Sequence, residues 1–234
     1  MINKLPSDLK IDHILHIADI HIRLFKRHQE FRESFELLYT ELRKTALMTS
    51  NVAIVVAGDI VHSKAELSPE MISLTSDFLK TLSEIAPTII IAGNHDTNLA
   101  NTTRLDSLTP IIENIKSDNL FYLRDSGTYE LQNSVIGVFF IFYDPSTWPT
   151  NPVSDKMKIA LFHGPVYGAK TEVGYEIKSE DIKTSLFNGY DMVLLGDIHK
   201  FQVLEDGTNG GPIVAYPGSL IQQDHGEGIL GHTI

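Results

Sequence analysis

The sequence predicts an α/β fold, and three observations carry that reading. Continuous β-branched runs alternate with amphipathic stretches of helical period through the first half of the chain. After Leu120 the pattern turns β-rich. The apolar runs end again and again in Asp, Asn or His, at the sheet edge where α/β proteins build their sites.

In chain order, "DHILHIAD" reads as a strand. Residues from about Gln29 to Met48 read as a helix with Phe31, Phe35, Leu38 and Leu42 on one face. "VAIVVAGD" is a second buried strand. Ser68-Pro69-Glu70 starts a helix well, with Ser as N-cap, Pro at the first helical position and an acid in the first turn. That helix should reach about Ala86, where Pro87 ends it. "TIIIA" is the third strand, and "RLDSLTPIIENI" is a helix weakened at Pro110. Strands follow at "TYELQ", "VIGVFFIF" and "MKIALFH", then a short helix near "SEDIKTSLF" and strands at "DMVLLGD" and "PIVAYPG". "YDPSTWPTNP" is a Pro-rich surface loop, and the terminal "GILGHTI" reads like the start of another strand.

The 234 residues are 42% hydrophobic and 21% charged, enough for one large domain over 1–234. The longest apolar run is strand-sized, so no membrane span is expected, and "MINKLPSDLKID" has no apolar signal core, so no export is implied. The absence of cysteine excludes disulfides and thiolate metal sites. The net charge of −11 has the wrong sign for a nucleic-acid binder, although bound dications would neutralise several aspartates. Arg23, Lys26, Arg27 and Arg32 form a local basic run against the single acid Glu30, which on composition alone is a solvated loop and helix start.

Five strands release oxygen or nitrogen donors just past their C-terminal ends. "HIADIH" gives Asp19 and His21, and "VVAGDIVH" gives Asp59 and His62. "IAGNHD" gives Asn94, His95 and Asp96, "IALFHGP" gives His163, and "LLGDIHK" gives Asp197 and His199. Each alone is an ordinary polar strand end or turn. Five together are a site. Donors of Asp, Asn and His type without Cys suit Mn, Fe, Zn or Mg. Their number suits two ions about 3.5–4 Å apart, bridged by a carboxylate. Gly58, Gly93 and Gly196 should let the backbone turn sharply beside them. His13 and His16 read as packed or edge residues of the first strand.

D-x-H, then G-D, then G-N-H-D, a lone H and G-x-x-H is the signature of the calcineurin-like metallophosphoesterases, and the chain resembles that family from Asp19 to His199. The resemblance implies a two-sheet sandwich of mixed β-sheets packed face to face and flanked by helices. It implies Asp19, His21 and His199 at a first metal and Asp59 as the bridge. Asn94, His163 and Asp197 fall at a second metal. His95 becomes the active-site histidine that is not a ligand, and Asp96 a carboxylate behind it that fixes the imidazole tautomer. Where the family has G-H-x-H, this chain has Gly196-Asp197-Ile198-His199, and the harder carboxylate should tilt the second site towards Mn or Mg.

Within that family the chain is most similar to the SbcD-type DNA repair nucleases. His62 lies three residues after Asp59, as in their G-D-x-x-H pattern, where the extra His assists nuclease activity. "YPGSLIQQDHGEG" resembles their Y-P-G-S block, and "FKRHQEFR" falls where they often have a basic DNA-facing segment. The resemblance implies a Mn-dependent (Mg as the other candidate) 3′-to-5′ exonuclease and single-strand endonuclease acting in DNA repair or recombination. It also implies a homodimer with an SbcC-type, SMC-like ATPase partner, a missing C-terminal capping region, and a cytoplasmic, nucleoid-associated or virus-encoded setting. Two rivals are a phosphoesterase for small molecules or nucleotides, and a non-catalytic scaffold subunit.

Overall fold

Six consecutive β-branched or small apolar residues, all buried, make Val52–Ala57 a strand that cannot sit at a surface. In the computed structural model, which describes residues 2, 4–98, 104–139, 148–150, 152–208 and 210–223, this strand is central to the first of two sheets. That sheet has the order β1 (His13–Ile17), β2 (Val52–Ala57), β3 (Thr88–Ile91), β4 (Leu120–Tyr122), and every pairing in it is parallel. The crossovers are α1 (His28–Met48), α2 (Pro69–Ile85) and the short α3 (Leu108–Ile112).

The second sheet has six strands in the order β5 (Gly127–Glu130), β6 (Ser134–Phe139), β7 (Met157–His163), β8 (Met192–Gly196), β10 (Ile213–Tyr216), β9 (Gln202–Asp206). It is mixed: β6, β7, β8 and β10 run parallel, while β5 and β9 pair antiparallel at its two edges. The two-sheet sandwich expected from the family resemblance is therefore the fold observed, with the mixed character confined to the second sheet. A single-turn 3₁₀ helix, Thr184–Phe187, precedes β8.

The period of two along β7 divides the interior. Ile159 and Leu161 join the core shared with β1–β4, and Ala160 and Phe162 join a second core with Phe187, Tyr190, Val193 and Tyr216. β8 does the same, with Leu194 in the first core and Val193 and Leu195 in the second. On α1, Phe31, Phe35, Leu38, Tyr39 and Leu42 are buried at helical spacing. Phe35 stacks on Phe78 of α2 with ring centroids 4.2 Å apart. Ser68 caps α2 as expected, accepting from the Met71 N–H at 3.1 Å. The result is a rigid frame in which β1, β2, β3, β7 and β8 all end at one edge.

His225, His232, the "GILGHTI" segment, the end of the Y-P-G-S block from residue 224 and most of the Pro-rich loop lie outside the described residues.

Candidate metal centre

The first parallel strands end, and the chain leaves them through left-handed backbone. Asp19 and His21 after β1 and Asp59 after β2 each have φ 53°, and Asp197 after β8 has φ 96°. Positive φ is uncommon for non-glycine residues, and Asp and His are among those enriched there. The two loops are tied together: the N–H groups of Asp19 and Ile20 donate to the carbonyls of Gly58 and Asp59 at 3.1 and 2.9 Å. Gly58 is itself left-handed, with φ +89°. Gly196 serves differently from the sharp turn expected of it. A Cβ there would lie 2.0 Å from the Ala57 carbonyl oxygen and 2.6 Å from His163 Nδ1, so glycine lets the two sheets close on each other.

The strand ends bring the donors together in three clusters, each with its candidate atoms within 4.8 Å: Asp19, His21 and His199; Asp19, Asp59 and His163; and His21, His62 and His95. His21 Nε2 lies 3.0 Å from His199 Nε2. The Asp59 carboxylate sits between two histidines, with Oδ2 3.5 Å from His21 Nε2 and Oδ1 3.4 Å from His163 Nε2. One oxygen towards each half of the site is the disposition a bridging carboxylate needs. His163 Nδ1 lies 2.7 Å from the Ala57 carbonyl. A carbonyl only accepts, so Nδ1 carries a proton and Nε2 is the nitrogen that faces the site. Asn94 Oδ1 lies 2.9 Å from that Nε2 and 3.2 Å from Asp59 Oδ2. Acceptors facing one another this way suit a cation among them; turned over, the amide would donate to the same atoms.

The sequence model of the calcineurin-like phosphoesterases matches residues 13–201, which covers every one of these donors. The chain belongs to the calcineurin-like phosphoesterase family. It is similar to "Uncharacterized protein R555" of Acanthamoeba polyphaga mimivirus, 47% identical over 99% of this chain and 18% of that protein. It is also similar to "Putative phosphoesterase 244L" of Invertebrate iridescent virus 6, 25% identical over 77% of this chain and 62% of that protein. The chain thus spans less than two thirds of each of these relatives.

Asp19, Asp59 and Asp197 crowd this centre, and the burial and charges around them shift their pKa values in ways a cation would relieve. Burial, reinforced by Asp59 against the opposing pull of His163, raises Asp19 to about 7. Asp59 is pulled the other way. Burial would raise it, but the charge and hydrogen bond of His163, with His21, hold it below the usual carboxylate range. His163 is desolvated, yet Asp59, Asp19 and Asp197 lift it well above its ordinary value. His21 is lowered to about 3 by burial, and His62 is lowered by burial and by Arg23. A divalent ion among these donors would leave the carboxylates ionised and the imidazoles neutral, the states in which both ligate. The donor set fits such an ion.

Two expectations about the site are refined. Among the described residues the Asp96 carboxylate bonds to backbone N–H groups and not to the His95 ring. That carboxylate is fully buried and accepts the N–H groups of Ile60, Val61 and Gly93 at 3.1, 3.0 and 2.9 Å. It joins the loop after β2 to the loop after β3, while burial and Asp59 raise it to about 7. The His95 tautomer is set instead by the His62 carbonyl, 2.7 Å from Nδ1. Asp197 stands at the rim. Its carboxylate comes only to 3.9 Å from His163 Nε2, and its backbone N–H donates to both Asp19 oxygens at 3.0 and 3.1 Å. Burial raises its pKa.

Of the basic run, Arg23 reaches the site. It follows Ile22, which bridges to Val61 and accepts the His62 N–H at 3.0 Å. Arg27 is paired with Glu30 at the head of α1, and Lys26 and Arg32 are exposed. Lys64, which sequence reasoning passed over, places Nζ 2.9 Å from the Asn94 carbonyl. Its only signal was a cation two residues after His62. His16 is buried on β1, as a packed residue should be, and burial lowers it to about 3.

Proposed function

We propose that this phosphoesterase is a two-metal-dependent DNA phosphodiesterase of SbcD type. Asp19, His21 and His199 would hold one ion, and Asn94, His163 and Asp197 the other, with Asp59 between them. Bound there, Mn or Mg would supply Lewis-acid stabilisation of the phosphoryl oxygens and a more acidic water for in-line attack. The protein's own part is positional. Asp59 is fixed by the His95 N–H at 2.8 Å, and the His95 ring, clustered with those of His21 and His62, is held by donating from Nδ1 to the His62 carbonyl. There it is placed to handle the proton of the departing oxygen.

The observation that carries the nuclease reading is the His62–His95 pair. The two rings stack with centroids 5.5 Å apart and 29° between planes, and both cluster with His21. A phosphodiester has a leaving group that needs stabilisation beyond the metals, and a second histidine behind the first suits that demand. Arg23 and Lys64 at the rim add local positive charge to an acidic chain. DNA exonuclease and single-strand endonuclease activity, an SbcC-type ATPase partner and a homodimer belong to the same proposal. The viral sources of the two relatives support a virus-encoded enzyme.

The net charge of −11 favours a second reading, a phosphodiesterase for small molecules or nucleotides. Digestion of end-labelled duplex and single-stranded DNA with Mn or Mg, beside bis(p-nitrophenyl) phosphate and with Asp59→Asn as the control, separates the two. Hydrolysis of the aryl diester without DNA cleavage would replace the first reading by the second. No hydrolysis of either, in a chain that binds metal, would favour a scaffold.

A further inference from the structure

Tyr216, Gly218 and Ser219 supply none of the clustered donors, yet each meets the backbone beside a site residue. The Tyr216 ring is fully buried. Its hydroxyl donates to the Gly164 carbonyl at 2.8 Å and accepts the Val166 N–H at 3.0 Å, so one phenol clasps both sides of Pro165, immediately after His163. Two residues on, Gly218 has φ +78°, and a Cβ there would lie 2.9 Å from the Phe201 nitrogen and 3.0 Å from the His199 carbonyl oxygen. Ser219 donates its N–H to that same His199 carbonyl at 3.0 Å and bridges to Ala18, the residue before Asp19. Gln223 continues the segment, donating to the Ile20 carbonyl at 3.3 Å and accepting from Arg23 at 3.2 Å.

From this geometry we infer that the segment Tyr216–Gln223 is a brace that sets the positions of His163, His199 and Asp19, with Tyr216 and Gly218 as positioning residues for opposite halves of the site. The physical reason is that His163 is the last residue of β7, whose chain enters a loop at Gly164, and His199 sits in the loop that follows β8. A loop left to itself samples many backbone states. Two hydrogen bonds from a ring packed in the second core, and one close glycine contact, remove that freedom on either side of the centre. Tyr216 is rigid, with its ring held among Phe162, Phe187 and Val214 in that core. The brace therefore couples the packing of the second core to the spacing of the donors. This inference rests on the reading of the site as a metal centre and is independent of the substrate.

The test compares three substitutions in the whole chain. Tyr216→Phe removes the clasp and keeps the ring. Gly218→Ala forces a Cβ against the His199 carbonyl. Tyr190→Phe is the control, because the buried Tyr190 hydroxyl makes no hydrogen bond among the described residues. Titration with Mn should show one class of ion weakened about 10–100-fold in Tyr216→Phe, the scale of lost support behind a ligand. Activity should return at high Mn, with KM unchanged. Gly218→Ala should weaken the other class, and Tyr190→Phe neither. The imidazole ¹⁵N signals of the metal-free chains give a second readout: His163 should shift in Tyr216→Phe and His199 in Gly218→Ala. Parent-like titrations and parent-like imidazole signals in both variants would overturn the brace. A parent chain that takes up no Mn would instead remove the metal reading, and the imidazole signals alone would then decide on the brace.

Discussion

The backbone carbonyl of His62 holds the imidazole of His95, with Nδ1 2.7 Å from the oxygen, and the two rings lie over each other. The bond belongs to the main chain of residue 62 and survives any change of its side chain. His62→Gln therefore isolates the contribution of the ring, and His95→Gln removes the proton-handling group. His95→Gln should keep its metal uptake while turnover falls by about 10²–10⁴, the usual range for a lost general acid or base. His62→Gln should fall less and show the loss mainly with poor leaving groups. Loss of metal in His95→Gln would make that residue a ligand.

Asp59 stands between His21 and His163. Asp59→Asn keeps the size and removes the charge both imidazoles face. Parent chain loaded with Mn should carry about two ions. The variant should lose most of the metal, and phosphodiesterase activity with it. Retention of full activity in Asp59→Asn would contradict a bridging role.

Asp197 makes its closest bonds through its main chain, to Asp19. Asp197→Asn should leave the fold and the Asp19, His21 and His199 cluster intact and weaken only the ion nearest His163. A Mn titration with unchanged affinity in both classes would assign that neighbourhood to Asn94 and His163 without Asp197.

His16 gives a pH dependence that lies outside the metal centre. Burial lowers its pKa to about 3 in the fold, from 6.5 in the open chain. Above pH 6.5 the ring is neutral in both states and its contribution to stability is complete. As pH falls from 6.5 towards 3, the unfolded chain takes up the proton first, and stability is lost at up to about 1.4 kcal/mol per pH unit. His16→Leu should show a flatter stability curve across that window by urea denaturation of the metal-free chain. Parallel curves for variant and parent would mean the ring is protonated in place.

Arg23 lies beside His62, whereas Arg27 is engaged by Glu30 and Arg32 is exposed on α1. Arg23→Gln should weaken DNA binding and lower the slope of log affinity against log salt by about one phosphate contact. Arg27→Gln and Arg32→Gln should change the slope less. Equal effects from all three would spread the contact along the whole segment.

The candidate donors stood out because buried strands are easy to see and five of them ended in Asp, Asn or His, although each end alone is ordinary. What singled out Asp19, Asp59, His163 and His199 was their recurrence over five strands, their roles came from the family resemblance, and the structure gathers them at one edge. Asp96 was visible as a carboxylate but not in its action, since Ile60 and Val61 are more than 30 residues away and meet it only once β2 and β3 pair. The helix expected across "RLDSLTPIIENI" shrinks to Leu108–Ile112 because Asp106 takes the Thr109 N–H at 2.6 Å and starts it late. β4 escaped because three residues, Leu120–Tyr122, show no period. β9 escaped because at the sheet edge it buries no residue fully and even Val203 is exposed, so no apolar period marks it. Tyr216 lay within a block useful for its resemblance, and its bonds to Gly164 and Val166 depend on a contact across 50 residues.

The left-handed backbone at Asp19, His21, Asp59 and Asp197 constrains how this centre could ever be altered. Alanine at such a position keeps a Cβ in a backbone conformation costing on the order of 1–3 kcal/mol and loses the polar side chain that helps Asp to tolerate it. Alanine scanning would therefore mix chemistry with strain. Asparagine and glycine accept the geometry, so a lineage drifting towards another metal or towards loss of catalysis has its easiest steps through Asp→Asn and Asp→Gly. β-branched replacements are closed to it by backbone shape before any question of ligation arises.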